Sequence, residues 1–428
     1  MTIGTPAGGS PVWHPFTQHG LTPSMVPIAA AEGAWLERAD GRRLLDAISS
    51  WWVVTHGHCH PAIVAAIAKQ AGTLDQVIFA GFTHEPAEEL ARGLVELAPE
   101  GLTRVFFSDS GSTSVEVGLK MALGYFHNIG APRQRVVALE HGYHGDTVGG
   151  MSVGARGVFT APYEPFLFEV ARIPFPAAGR EQETIDAFEA ACIAEPTAAL
   201  IIEPLVLGAG GMLIYSEAVL RELRRIADAH GVLLIADEVM TGWGRTGKLL
   251  ACNRAGVVPD ILCLAKGITG GSMPLAVTLC SEPIFEAHRS TDRARMFFHS
   301  SSYTANPIAC AAANANLKIW RDEPVQERID VLAAAHRVRL DPFRSDARFA
   351  GVRQIGTIAA LDLKVSDAGY MASVAPRLSQ FFIERGVLLR PLGNTIYLMP
   401  PYCITPSELD LVYAAIAEAP DWLARQEA

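Results

Sequence analysis

The sequence holds no run of 18 uncharged apolar residues, which argues against a membrane-spanning helix. It has no CxxC pair. Its seven cysteines stand scattered at 59, 192, 252, 263, 280, 310 and 403, an odd count that fits reduced, buried thiols and a cytoplasmic setting rather than a disulfide framework. Basic residues are in deficit, with 35 Lys and Arg against 45 Asp and Glu, and a net charge of −10 lacks the basic face that a general nucleic-acid binder needs. The opening MTIGTPAGGSPVWHP has neither a basic n-region nor an apolar h-region, so no secretory leader is expected. No strand pattern is followed by GxGxxG, which sets a nicotinamide dehydrogenase aside, and no internal repeat or low-complexity tract occurs.

What is present is an ordinary globular composition, 50% hydrophobic and 19% charged over 428 residues, long enough for a large domain and a smaller one. Strand and helix patterns alternate from about 100 to 310, the sign of a doubly wound α/β domain with a mostly parallel sheet. After about 325 a helix, short strands near 352–363, another helix, and strands at Val387–Arg390 and Thr395–Met399 read as a compact α+β domain. A hairpin around Asp40-Gly41 is expected to complete it. The expected division is 1–60 as an N-terminal segment serving the small domain and the site, 61–320 as the large domain, and 321–428 as the small one.

The chemistry centres on Val232 to Gly271. One apolar run ends on Asp237-Glu238; a second, Asp260 to Ala265, ends on Lys266-Gly267. Both read as buried strands of a parallel sheet, whose ligands sit past the strands' carboxyl ends. A carboxylate and an amine placed there suit pyridoxal phosphate (PLP). It needs a lysine for a Schiff base and an acid to keep its pyridine nitrogen protonated. Alone, Asp237 also reads as a turn cap and Lys266 as a solvated surface lysine; together they favour the cofactor.

Other stretches fit in outline. Arg104–Phe107, the turn Ser108-Asp109-Ser110-Gly111-Ser112 and the helix after it make an anion site or a plain N-cap. Tyr143, between Gly142 and Gly145, reads as a ring-stacking residue or a packed turn tyrosine. His56, His58 and His60 alternate as metal ligands on an extended chain can, but no fourth ligand is paired with them, and a turn leading into a helix at Ala62–Gly72 is the favoured reading. Of Trp51 and Trp52, one is expected to pack in the core, because neighbouring strand residues face opposite ways.

Several blocks together resemble the class III (omega) PLP-dependent aminotransferases. These are Asp-Glu-Val-x-Thr-Gly-x-Gly-Arg-Thr-Gly at 237–247, Ala-Lys-Gly-Ile-Thr-Gly-Gly at 265–271 and Ser-Asp-Ser-Gly-Ser at 108–112. Gly-Tyr-His-Gly-Asp-Thr at 142–147 belongs with them, as do Trp-His-Pro at 13–15, Ser-Ser-Trp-Trp at 49–52, Arg-Pro-Leu-Gly at 390–393 and Tyr-Leu-Met-Pro-Pro-Tyr at 397–402.

The resemblance implies the PLP fold type I and a homodimer with shared sites. It implies Lys266 as the catalytic, cofactor-bearing amine, Asp237 at the pyridine nitrogen, Gly111 and Ser112 at the phosphate, and Tyr143 on the ring. Ser301 and Ser302 would reach the neighbouring subunit's cofactor. Phe16, Trp52, Tyr143, Ser300, Arg390 and Tyr397 would line the substrate pocket, with Arg390 clamping a carboxylate; a salt bridge from Arg390 to Glu203 is the structural alternative. The implied reaction is amination of 8-amino-7-oxononanoate to 7,8-diaminononanoate in biotin biosynthesis. Phe16 stands where the family pattern often has Tyr, and His299-Ser300-Ser301-Ser302 where it often has His-Gly-Pro-Thr, which leaves the donor open between S-adenosylmethionine and lysine. Another class III activity on diamines or ω-amino acids, and a non-catalytic homologue, are the competing readings.

Overall fold

The structure, a computed structural model, describes residues 10–21, 25–366 and 368–427; the reading of residues 1–9 as free of a leader falls outside them. In chain order the strands are β1 (Ile28–Glu32), β2 (Trp35–Arg38), β3 (Arg43–Asp46), β4 (Leu102–Ser108), β5 (Arg135–Leu139), β6 (Ala171–Ile173) and β7 (Thr197–Ile202). They continue with β8 (Val206–Leu207), β9 (Leu213–Ile214), β10 (Leu233–Asp237), β11 (Ile261–Leu264), β12 (Ala276–Ser281), β13 (Phe349–Ile355), β14 (Ile358–Leu363), β15 (Val387–Leu388) and β16 (Thr395–Leu398).

The main sheet has the order β4-β12-β11-β10-β7-β5-β6. β10 pairs in parallel with β7 and β11, and β5 with β6 and β7, whereas β12 runs antiparallel to both β11 and β4. The sheet is mostly parallel, as its aliphatic runs indicate: every residue of β7 and β11 is buried, with no alternating polar face. β12 reverses because the Ala265–Leu275 connection holds only a 3₁₀ turn (Lys266–Thr269) and a loop, too little for a crossover helix.

Among the described residues three smaller sheets accompany the main one, the smallest of them the antiparallel pair β8-β9. The hairpin around Gly41 is present: β2 pairs antiparallel with β3, and β3 in turn pairs in parallel with β15 from the other end of the chain. β13, β14 and β16 form the third sheet. Trp51 and Trp52 lie on a short helical turn, Ser49–Trp52, rather than on a strand, yet they still part company: Trp51 is 42% exposed and Trp52 6%. The three histidines face three partners. His56 meets Asn316 (2.8 Å), His58 meets Asp46 (2.8 Å) and His60 meets Glu323 (3.4 Å), and the helix after them runs Pro61–Ala71. Among the described residues, no helix is long and apolar enough to cross a membrane.

The helix Gly111–Asn128 crosses the sheet at close range. Ser110 caps it through a reciprocal pair with Thr113. Contact depends on Gly118, where an added Cβ would meet Cys263 and Ile261 at 3.3 Å and Ile235 at 3.4 Å. These neighbours are side chains of β10 and β11, so the helix N-terminus is fixed relative to the strand ends that carry Asp237 and Lys266. Gly118→Leu should therefore cost about 1–3 kcal/mol through overpacking, read as a lowered thermal midpoint; an unchanged midpoint would show that the helix can lift off the sheet freely.

Candidate active site

β10 ends on two acids with different jobs. Glu238 is fully buried and accepts the backbone N–H groups of Ala251 (2.6 Å) and Cys252 (2.7 Å) and the Thr241 hydroxyl (3.3 Å), which fixes the turn after the strand. Asp237 points the other way. One of its oxygens accepts the Val239 N–H (3.1 Å) and the other lies 2.7 Å from His144 Nδ1. The bond to the carboxylate puts a proton on that nitrogen. Both side chains are buried, and His144 Nε2 has no partner among the described residues.

Lys266 opens the 3₁₀ turn past β11 with φ +48°, a left-handed conformation unusual for a side chain with a Cβ. Its Nζ lies 4.9 Å from the centre of the Trp52 ring. Desolvation pulls its pKa down to about 8, against the attraction of Asp237 and Glu203 and with help from the Arg245 charge. Glu203, at the end of β7, accepts the backbone N–H groups of Tyr143 (2.9 Å) and Gly208 (2.8 Å). Burial raises its pKa to about 7, with Asp237 adding to the rise and His144 opposing it.

Between these strand ends lies a cavity of about 420 Å³, lined on its sides by Trp52, Gly111, Ser112, Tyr143, Asp237 and Lys266. The Gly111–Ser112 end is the N-terminus of an 18-residue helix, where backbone N–H groups and the helix dipole favour an anion. The loop bearing Tyr143 closes tightly over it. Asp146 N–H donates to Ser112 Oγ (3.2 Å), and a Cβ at Gly145 would fall 2.1 Å from that same oxygen. Gly111 is similarly confined, since a Cβ there would fall 2.6 Å from a Val239 methyl. An acid beside one wall, a partly deprotonated amine at another and an anion cradle at the edge are the three groups that PLP requires, so the residues present fit the cofactor.

The cavity thus gathers six of the expected residues. The others lie outside its lining. Tyr397 stands behind Trp52, accepting the indole N–H (2.9 Å), and is buried. Phe16 and Arg390 meet nearby: the guanidinium donates to the Phe16 carbonyl (2.9 Å) and covers the Trp51 ring at 4.9 Å, while Phe16 packs edge-on against Trp51 (5.8 Å) and Phe159 (5.9 Å). Arg390 makes no ion pair with Glu203, whose two oxygens take backbone donors instead. Ser301 donates to Asp109 of its own chain, Ser302 offers its carbonyl to Gln76 (2.6 Å), and Ser300 is exposed.

Sequence reasoning gave no site role to His144, Glu203 or Arg245. His144 sits inside the quoted glycine loop. Glu203 has the same signal as Asp237, an acid just past an aliphatic strand. Arg245, inside the 237–247 motif, is 1% exposed and donates to the carbonyls of Pro400 (3.0 Å), Trp52 (3.4 Å) and Val54 (3.0 Å).

These features define an enzyme of the PLP-dependent transferases of fold type I. The family model "Aminotransferase class-III" matches residues 16–419. The chain is 50% identical to the adenosylmethionine-8-amino-7-oxononanoate aminotransferase of Synechococcus elongatus, over 96% of this chain and 98% of that protein. A protein of the same name from Nitratidesulfovibrio vulgaris is 40% identical, over 95% of this chain and 80% of the other. Among solved structures, one of that name from Methanocaldococcus jannaschii superimposes with a TM-score of 0.91 at 32% identity, covering 96% of each chain. A PLP-bound amine transaminase from an uncultivated Pseudomonas species gives 0.90 at 36%, covering 96% of this chain and 98% of that one. The chain belongs to the class III aminotransferases, which are PLP-dependent transaminases.

Asp237 raises the Lys266 pKa while desolvation lowers it. Asp237→Asn removes the attractive charge, so the lysine should deprotonate at still lower pH. In the cofactor-free protein, the pH midpoint for reaction of Lys266 with an amine-directed reagent is expected to move to the acid side of about 8; a move to the alkaline side would contradict the assigned balance.

Proposed function

We propose that the protein transfers an amino group from S-adenosylmethionine to 8-amino-7-oxononanoate, giving 7,8-diaminononanoate in biotin biosynthesis, as a cytoplasmic homodimer. The observation that carries the reading is the 50% identity, across nearly the whole of both chains, with a protein named for that activity. When bound, PLP supplies the electron sink and the carbonyl that carries the amino group from donor to acceptor.

The chain's residues divide the remaining work. Asp237, held by His144 and Val239 N–H, keeps a proton on the ring nitrogen. Gly111 and Ser112 take the phosphate at the helix N-terminus. Tyr143 covers the ring from its glycine loop. Lys266, with its pKa near 8, reaches its neutral form at mild pH and would take up a proton from the donor carbon in one half-reaction and deliver a proton to the acceptor carbon in the other. Trp52 screens that amine from water and is itself oriented by Tyr397.

Outside, Phe16 and Trp51 offer an apolar wall for a methylene chain. Arg390 meets the Phe16 carbonyl, the Trp51 ring and the Tyr370 hydroxyl, none of them a carboxylate, so its charge is open to the terminal carboxylate of a substrate. Ser301 and Ser302 lie off the cavity of their own chain, which supports assigning them to the neighbouring subunit's cofactor, and Ser300 beside them is assigned to the substrate pocket. The division into 1–60, 61–320 and 321–428 draws support from the sheets: the seven-stranded one lies within 61–320, and the four-stranded one joins β15 to the N-terminal hairpin. A second reading, transamination of simple amines or ω-amino acids, draws on the 36% identity with the amine transaminase.

The deciding measurement is a half-reaction. Either S-adenosylmethionine or lysine is added to the holoenzyme while near-visible absorbance is followed, and 8-amino-7-oxononanoate is added afterwards. Bleaching by S-adenosylmethionine and recovery with the keto acid is the expected course. Turnover of putrescine or β-alanine with none of 8-amino-7-oxononanoate would move the assignment to the second reading. Lys266→Ala should lose at least about 10²-fold in kcat. Arg390→Ala should raise KM for the keto acid by about 10–100-fold, the worth of a charge-assisted contact; an unaltered KM would remove Arg390 from the carboxylate site.

A further inference from the structure

The turn that presents Lys266 is gripped from behind by a helix the mechanism has not used. Asn316 lies within the helix Pro307–Asp322 and is fully buried. Its amide nitrogen donates to the carbonyls of Gly267 (3.1 Å) and Ile268 (3.0 Å), the two residues directly after Lys266. Its amide oxygen lies 2.8 Å from His56 Nε2. An asparagine in a helix interior works against local preference, so something other than helix formation keeps it there.

The two carbonyls fix which way the amide points. Turned over, Asn316 would set its own oxygen against both of them. Held this way, it presents only an acceptor to His56, so the imidazole must carry its proton on Nε2. His56 Nδ1 is then a bare lone pair, and it is indeed buried without a partner. Burial draws the His56 pKa down to about 4, so the ring stays a neutral, single-tautomer donor through the working range. A non-glycine residue stays at positive φ only where its surroundings over-determine it. Lys266 is such a residue. Its turn is confined by Trp243, whose Cβ would lie 2.8 Å from a Cβ at Gly267, and gripped by Asn316.

We propose that Asn316 and His56 are positioning residues for Lys266: the Asn316 amide, aimed by the His56 ring, holds the left-handed turn that points the lysine into the cavity. This rests on reading Lys266 as the cofactor-bearing amine. Neither residue lines the cavity, so each acts through the Gly267 and Ile268 carbonyls.

Four variants of the holoenzyme test it, through steady-state kinetics, thermal midpoint and the pH midpoint of the near-visible absorbance band. Asn316→Ala should lower kcat by about 10–100-fold, as misplacement of a reacting group does, with KM for both substrates within about twofold. The absorbance midpoint should move by at least about half a pH unit. His56→Phe should act in the same direction, and His56→Gln, whose amide nitrogen reaches the place of Nε2, should restore both readouts. A lowered thermal midpoint with wild-type kcat and spectrum in the folded protein would overturn the proposal. So would equal losses in His56→Phe and His56→Gln, because ring volume rather than the donated hydrogen bond would then matter. If Asn316→Ala does not fold, the two His56 variants decide by the same criteria. Lys266→Ala separates the premises: a retained absorbance band there would sink the lysine assignment itself, whereas its loss beside unaffected Asn316 and His56 variants would sink only the positioning role.

Discussion

The register of two parallel strands governs this site. β10 and β11 pair with Asp237 opposite Cys263, so the carboxylate ends one strand as the other has two residues, Leu264 and Ala265, left before Lys266. Both strands are buried on both faces, and neither has a polar side to announce which residues look toward the cavity. A slip of one residue would exchange the faces. Glu238 would then look where Asp237 looks, and the carboxylate bound to the Ala251 and Cys252 N–H groups would be torn from them. The register is therefore held at the strand end as well as along its length.

Electrostatics at that end are a balance in which burial outweighs attraction. Lys266 has two carboxylates near it, Asp237 and Glu203, which together favour the ammonium form, yet desolvation brings its pKa down to about 8. The carboxylates themselves are not equivalent. Glu203 is raised to about 7 by burial, partly because Asp237 already holds negative charge nearby. Asp237 is held by His144 Nδ1 at 2.7 Å and by the Val239 N–H, and Glu203 by the N–H groups of Tyr143 and Gly208. Both acids line the cavity, and the raised Glu203 carboxyl can hold a proton there, which lowers the cost of burying two acids together.

Much of this was legible in the chain. The strand runs at 232–236, 260–265 and 199–202, the helix after Ser112 and the Asp237–Lys266 pair all rest on local patterns, namely unbroken aliphatic stretches closed by polar residues. What sequence could not supply is non-local. The reversal of β12 follows from a connection that lacks a helix, but only once the turn at Lys266–Thr269 is known to be 3₁₀. Trp51 and Trp52 separate as expected although they sit on a helical turn, because the strap at 49–54 has positive φ at Ser49, Ser50 and Trp52 that no strand or helix period describes. His144, Glu203 and Asn316 belong to the site through partners 93, 60 and 49 positions away; the glycine loop around His144 and the aliphatic strand before Glu203 are local hints, whereas nothing near Asn316 marks it.

The same strap explains why distant parts of the chain are needed for one lysine. Ser49 Oγ donates to the Met399 carbonyl (2.7 Å), Trp52 to the Tyr397 hydroxyl (2.9 Å), and Tyr402 N–H to the Thr55 carbonyl (2.8 Å). Arg245 then ties the Trp52 and Val54 carbonyls to that of Pro400, its buried charge met by carbonyl dipoles and the Tyr402 ring at 5.2 Å rather than by a carboxylate. On its other side the strap reaches the lysine turn, through Thr55 N–H on the Gly270 carbonyl (3.3 Å) and His56 on Asn316. The wall that desolvates Lys266 and the bonds that hold its backbone thus share one support. A change at 397–402 can reach the amine without touching the cavity, because the Trp52 ring beside it and the turn that sets its direction are fastened to the same residues.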